Sequence, residues 1–134
     1  MRYILILLIL FISCGTPRVA NISMLQGTWI PVQQEMGGKQ LPQSVYEKQR
    51  LVITDTLYTF TAESVDKGTL AVQDSTMDIY GKEGVNAGRK IPAKYRIEGN
   101  KLYICYNLSG SGYPEVWETK GKPMYFLSVF KRAE

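Results

Sequence analysis

Residues 91–108 read IPAKYRIEGNKLYICYNL, and this stretch decides the fold class of the chain. Apolar and polar side chains alternate from Ile91 to Ile97 and again from Lys101 to Leu108. A period of two places alternate side chains on opposite faces of a β-strand. The Gly99-Asn100 pair between the two runs suits a two-residue hairpin loop, which needs positive φ angles. The stretch therefore predicts a β-hairpin.

Other short strands are predicted on both sides of this hairpin, with turn signals every eight to twelve residues. A second hairpin is predicted in LVITDTLYTF (51–60), turning at Asp55-Thr56, and 42–50 is the one predicted helical turn. Single strands are predicted at Trp29–Glu35, Gly68–Val72, Thr76–Tyr80 and Met124–Lys131. Eight strands in about 110 residues predict an all-β barrel or sandwich. A barrel of eight strands is filled by its own side chains or holds one small ligand.

The N-terminus predicts export. Arg2 precedes an apolar run that ends at Ile12, and ten apolar residues would span about 15 Å as a helix, half of a bilayer core. The run is thus too short to cross a membrane but suits a secretory signal. Its end, FISCG (11–15), resembles the lipobox of bacterial lipoproteins, in which the cysteine, here Cys14, becomes the lipidated first residue. A cleaved signal with an incidental cysteine is the alternative.

These features divide the chain into a signal peptide (1–13), a lipid-anchored tether (14–24) and a β-barrel domain (25–134). The residue that follows Cys14 is Gly15 and not an acidic residue. In this respect the chain resembles lipoproteins that are sent to the outer membrane. We therefore expect a protein of the bacterial cell envelope, anchored by lipid to the outer membrane and facing the periplasm.

Composition excludes several kinds of chemistry. The 134 residues carry a net charge of +4 and contain no histidine and two cysteines. Without histidine, the commonest general base and zinc ligand are absent. Two cysteines are too few for a disulfide scaffold or a four-thiolate metal site. So small a positive charge, in an exported protein, also argues against nucleic acid as a partner.

Several matched stretches resemble a family of short lipocalin-like bacterial domains of uncharacterised function, first noted in planctomycetes. The resemblance covers residues 25–132 and is carried by LQGTW (25–29), LVITDTLYTF, KYRIEGNKLYICYN (94–107) and FLSVFKR (126–132). It implies an eight-stranded antiparallel, calycin-type up-and-down barrel. It further implies a fold signature of Gly27, Trp29 and Arg132, with the indole closing the barrel floor and the guanidinium packed across it. The alternative for Trp29 is a core aromatic in an unrelated sandwich.

Catalytic motifs are weak, and we expect no enzyme, cofactor or metal. Residues 109–112 (SGSG) lie between strands and do not form a Gly-x-Ser-x-Gly nucleophile elbow. Asp78 and Glu115 are the candidates for the paired carboxylates of a glycosidase. The simpler alternative is that both are solvated acids on the surface. Cys105 lies on the polar face of its strand, where a nearby lysine would lower the pKa of its thiol and make it reactive. The alternative is that Cys105 is a structural, partly covered cysteine.

A non-catalytic binding function is therefore expected, with a small hydrophobic ligand inside the barrel. Six residues are predicted to point inward and bind it: Tyr58, Phe60, Tyr95, Ile104, Tyr106 and Trp117. The alternative is an envelope protein-binding module (an inhibitor, chaperone or assembly factor) with a filled barrel. That module would use the basic cluster formed by Lys82, Arg89, Lys90, Lys94, Arg96 and Lys101.

Overall fold

The computed structural model describes residues 21–134. The predicted signal peptide, Cys14 and most of the predicted tether lie outside the described residues. The end of that tether forms a 3-10 turn, Ile22–Leu25, in which Ile22 packs against the barrel core and Leu25 is fully buried. The packing of the barrel core thus includes a residue, Ile22, that precedes the predicted boundary at residue 25.

Nine strands and one helical turn follow the 3-10 turn. The strands are β1 (Gly27–Met36), β2 (Lys39–Gln40), β3 (Arg50–Thr54), β4 (Leu57–Thr61), β5 (Val65–Val72), β6 (Thr76–Glu83), β7 (Lys90–Glu98), β8 (Lys101–Asn107) and β9 (Tyr125–Arg132). The helical turn α1 (Gln43–Tyr46) lies between β2 and β3 and is shorter than the predicted 42–50. The two-residue strand β2 was not predicted. The eight predicted strands are all present, with ends shifted by up to three residues.

Eight strands close into an antiparallel barrel. Each strand from β3 to β9 pairs with the strand that follows or precedes it, and β1 pairs with both β3 and β9. The β1–β9 pairing joins the two ends of the sheet, while β2 only extends one end of β1. This arrangement confirms the predicted all-β, lipocalin-like up-and-down barrel. Closure also leaves few exposed strand edges.

The predicted hairpin at 91–108 has the expected register. Glu98 pairs with Lys101 across the loop, and Tyr95 pairs with Ile104 further along. The apolar set of β7 (Ile91, Ala93 and Tyr95) is buried inside the barrel, whereas Lys94 and Arg96 alternate with it on the outer face. The period-two pattern of β7 thus correctly predicted which of these side chains point into the barrel and which point outward.

The floor of the barrel is closed by Trp29. Its side chain is fully buried, and its indole N–H donates to the carbonyl oxygen of Leu25 at 2.8 Å. The guanidinium carbon of Arg132 lies 4.2 Å from the centre of the indole, a cation–π contact. The same guanidinium donates to the carbonyl oxygens of Gln26 and Met24, both at 2.7 Å. The implied contact of Trp29 with Arg132 is therefore present.

Gly27 allows this floor to form. Its φ is +115°, in a region that side chains rarely adopt. A Cβ atom at this position would also lie 3.4 Å from Nη1 of Arg132. The next residue back, Gln26, joins the floor to the β3–β4 turn, because its side-chain oxygen accepts the Asp55 N–H at 2.7 Å. The 3-10 turn, the first strand and the last strand are thus tied together at one end.

Candidate ligand-binding site

The barrel encloses an apolar cavity of about 160 Å³. Its deepest walls are side chains at most 8% exposed, and they come from five strands: Leu51, Ile53, Leu70, Met77, Ile104 and Phe130. A cavity of this size exceeds the space of one water molecule many times over, and an engineered cavity of about 150 Å³ with similar walls binds benzene. The interior is therefore not filled by its own side chains.

Partly exposed apolar side chains, three of them aromatic, form the rim of the cavity. Phe60, Tyr106, Phe126 and Leu108 line it and are half-buried. The rings of Tyr106 and Phe126 stack with their centroids 5.7 Å apart. These residues lie at the end of the barrel opposite Trp29, because they stand near the ends of β4 and β8 and the start of β9. One end of the barrel is thus closed and the other carries the mouth.

A few polar groups also line the cavity. Asp66 is 6% exposed, and its carboxylate accepts the Asn86 backbone N–H at 3.1 Å. Gln34 is 1% exposed and donates to the side-chain oxygens of Gln49 at 2.7 Å and Ser128 at 3.3 Å. Burial, and after it the neighbouring Asp66 carboxylate, raises the pKa of Tyr58. Burial is also the main cause that raises the pKa of Tyr106, so both phenols are neutral at physiological pH.

Four of the six predicted ligand-binding residues line the cavity: Tyr58, Phe60, Ile104 and Tyr106. Tyr95 points inward as predicted but packs in the core and does not line the cavity. Its hydroxyl donates to the carbonyl oxygen of Gln73 at 3.0 Å, near the β5–β6 turn at the closed end. Tyr95 therefore supports the barrel rather than the site.

The prediction that Trp117 points into the barrel was wrong. Trp117 belongs to the long β8–β9 connection, which crosses the outer face of the barrel and which we call the strap (109–124). The Arg96 guanidinium lies 4.3 Å from the centre of the Trp117 ring, and the Lys94 ammonium lies 4.9 Å from it. Both cations are on the outer face of β7, so the indole lies outside the barrel. The strap has no strand periodicity from which this could have been predicted.

Other contacts hold the strap in place. The fully buried Thr119 donates its hydroxyl to Glu35 of β1 and accepts the Gly38 backbone N–H at 2.9 Å. The Tyr113 hydroxyl donates to Asp78 at 3.0 Å. The strap is thus fixed at several points along the outside of the barrel.

Cys105 is a buried thiol beneath the strap. It is fully buried and lies 3.9 Å from the carbonyl oxygen of Val116. Burial raises its pKa to about 11, although the nearby Lys94 acts in the opposite direction. The desolvation of the thiolate outweighs the attraction of the lysine. Cys105 is therefore protonated at neutral pH and packs as a small apolar side chain.

The two candidate catalytic carboxylates have structural surroundings. Asp78 accepts from Tyr113 and lies 3.9 Å from the Lys90 ammonium, on the outer face of β6. Glu115 is exposed in the strap, and its backbone oxygen, not its carboxylate, accepts from Lys94. Neither residue lines the cavity. In the part of the chain that the structure describes, no three His, Cys, Asp or Glu side chains are grouped as metal ligands would be.

Gln34 and Asp66 are among the lining residues that the sequence analysis missed. The alternation that starts at Trp29 would place Gln33 inward, but a β-bulge between Pro31 and Gln33 shifts the register. Gln34 therefore points inward, opposite Ser128. Asp66 lies in the part of β5 that precedes the predicted strand. Extending the alternation of Gly68 and Leu70 back by one step would have found it.

Comparison of the chain with protein-family models, with curated proteins and with solved structures gave no match. None of the helices among residues 21–134 is long and apolar enough to cross a membrane.

Proposed function

We propose that this protein is a non-catalytic, lipocalin-like binding protein of the bacterial cell envelope, anchored by lipid at Cys14, that takes up a small hydrophobic ligand in its barrel. The observation that carries the proposal is the apolar cavity of about 160 Å³. It is a preformed, largely apolar space lined by a few polar groups, which is typical of small-molecule sites.

The size of the cavity limits both the ligand and its affinity. A molecule with one aromatic ring fits, whereas a long-chain lipid would protrude from the mouth. Burying about 250 Å² of apolar surface gains about 6 kcal/mol at 25 cal/mol per Å². Part of this gain is lost to the entropy of association. A dissociation constant between micromolar and millimolar is therefore expected for a simple ring compound.

The basic cluster gives less support to the protein-binding alternative, because several of its members have partners within the molecule. Lys94 and Arg96 contact Trp117, and Arg96 also pairs with Glu98 at 2.9 Å. If these cations bound a partner protein, they would lose the contacts with Trp117 that hold the strap on the barrel.

Filling the cavity should weaken ligand binding. We expect Leu70→Phe to weaken the binding of ethylbenzene at least about tenfold, because the larger side chain projects into the space that the ligand needs. Leu57→Phe is the matched control, since Leu57 is 56% exposed and lies outside the cavity. Isothermal titration calorimetry measures both. Equal affinities of the two variants would mean that ethylbenzene binds elsewhere.

The lipid anchor is tested separately. We expect Cys14→Ser to abolish labelling with a radioactive fatty acid and to release the protein from the membrane fraction, because the proposed thioether can form only on a cysteine. The first described residues pack at the closed end of the barrel, so an anchor upstream of them leaves the mouth free. Membrane retention of the unlabelled variant would contradict the proposed anchoring without affecting the cavity.

A further inference from the structure

Among residues 21–134, Asp66 is the only charged side chain that lines the cavity. It is 6% exposed, and its one hydrogen-bond donor among the described residues is the backbone N–H of Asn86. The two ion pairs formed within residues 21–134 are Lys90–Asp78 and Arg96–Glu98. Asp66 thus has no cationic partner in this part of the chain. Buried carboxylates are ordinarily paired with a cation or bind one, because their removal from water is costly.

Other features near this carboxylate also suit a cation. Phe60 and Tyr58 lie on the neighbouring strand β4, and Phe60 is directly opposite Asp66 in the register. Aromatic faces beside a carboxylate attract an ammonium group through their quadrupole. In the described part of the chain, no lysine or arginine lines the cavity to compete with a bound cation or to hold an anionic ligand.

The loop between β6 and β7 positions the carboxylate. Gly84 has a φ of +91°, and a Cβ atom there would lie 2.4 Å from Oδ1 of Asp66. Only glycine lets this loop approach so closely and bring the Asn86 N–H to the same oxygen. One carboxylate oxygen is therefore held by the loop, while the other has no hydrogen-bond partner among the described residues.

A buried acceptor without a partner lies on β1, three strands away from Asp66 in the order of the barrel. The side-chain oxygen of Gln34 is buried and has no hydrogen-bond partner among residues 21–134. Its orientation is fixed, because Gln49 donates to Val45 and so presents its own oxygen to the Gln34 amide nitrogen. An inverted amide would bring two carbonyl oxygens together. The interior therefore holds a second group, besides the Asp66 carboxylate, that can accept a hydrogen bond from a ligand.

We propose that the ligand is a compact apolar amine, protonated and donating from its ammonium group to the Asp66 carboxylate while its apolar body fills the cavity. The inference rests on the proposed binding function and narrows it to a chemical class. It excludes fatty acids and other apolar anions as preferred ligands, because a carboxylate ligand would meet Asp66 without a balancing cation.

Three probes of similar size test the charge preference in the wild-type protein by calorimetry at pH 7. They are benzylamine (cationic), ethylbenzene (neutral) and benzoate (anionic). We expect benzylamine to bind at least about tenfold more tightly than benzoate, which corresponds to about 1.4 kcal/mol. Benzoate binding as tightly as benzylamine would overturn the proposal. Ethylbenzene reports on the cavity itself: if none of the three binds, the proposed function fails as well.

A matched pair of variants assigns the preference to Asp66. Asp66→Asn keeps the shape and an oxygen for the Asn86 N–H, so we expect it to lose at least about tenfold in benzylamine affinity and to bind ethylbenzene within about twofold of wild type. Asp78→Asn makes the same change on the outer face and should alter neither affinity. Unchanged benzylamine binding by Asp66→Asn would overturn the amine proposal while ethylbenzene binding still supported the cavity. If Asp66→Asn does not fold, the comparison of the three probes in wild type decides alone.

Discussion

Replacing Trp29 with alanine should lower the free energy of unfolding by about 3–5 kcal/mol, the usual cost of deleting a large buried aromatic side chain. The indole is fully buried, closes the barrel floor and donates to Leu25. Its loss would leave a void at the floor and an unpaired carbonyl oxygen. Urea denaturation followed by far-UV circular dichroism measures the change, with Trp29→Phe expected to lose less.

A double-mutant cycle tests the contact between Trp29 and Arg132. Arg132→Ala should cost less than Trp29→Ala, because the guanidinium is more exposed than the indole. The two losses should not add, since the groups are 4.2 Å apart and support the same 3-10 turn. Additive losses would show that the contact contributes nothing to stability.

Gly68→Ala should lower the free energy of unfolding by about 3 kcal/mol or more, at the upper end for overpacking. A Cβ atom on Gly68 would lie 1.9 Å from the carbonyl oxygen of Tyr80 and 2.7 Å from the Tyr58 ring. The first of these is backbone, so relief requires β5 and β6 to move apart. Gly68 and Gly81 face each other in that pairing, where the strands approach closely.

Gly99→Asn is the control for this change. Gly99 has a φ of +60°, which asparagine tolerates, and a Cβ atom there meets nothing within 4 Å. We expect the midpoint of urea denaturation to stay close to that of wild type for Gly99→Asn and to fall clearly for Gly68→Ala. Equal midpoints would contradict the close approach of β5 to β6.

The barrel could be predicted from sequence because its strands and turns are determined by residues that are close together in the chain. In β7 and β8 the alternation of apolar and polar side chains agrees with the turn residues Gly99-Asn100, and the structure has the expected register. The contact of Trp29 with Arg132 was implied by the family resemblance, since no local pattern relates two residues so far apart in sequence.

The site was predicted only in part because its determinants are not periodic. The bulge in β1 reverses the side-chain direction after Pro31, and so Gln34 rather than Gln33 faces inward. Trp117 lies in a strap whose path depends on contacts with Lys94 and Arg96. The cavity itself depends on how far side chains from different strands fill the barrel, which a strand pattern does not specify.

The central claim, that a small apolar molecule binds inside the barrel, is tested most directly by isotope-filtered nuclear Overhauser spectroscopy with ¹³C-labelled protein and unlabelled ethylbenzene. Contacts are expected between the ligand protons and the methyl groups of Ile53, Met77 and Ile104, which line the deep walls of the cavity. The methyl groups of Val85, 74% exposed and outside the cavity, should show none. Contacts to Val85 without contacts to the wall methyl groups, or no contacts at a saturating ligand concentration, would contradict the account.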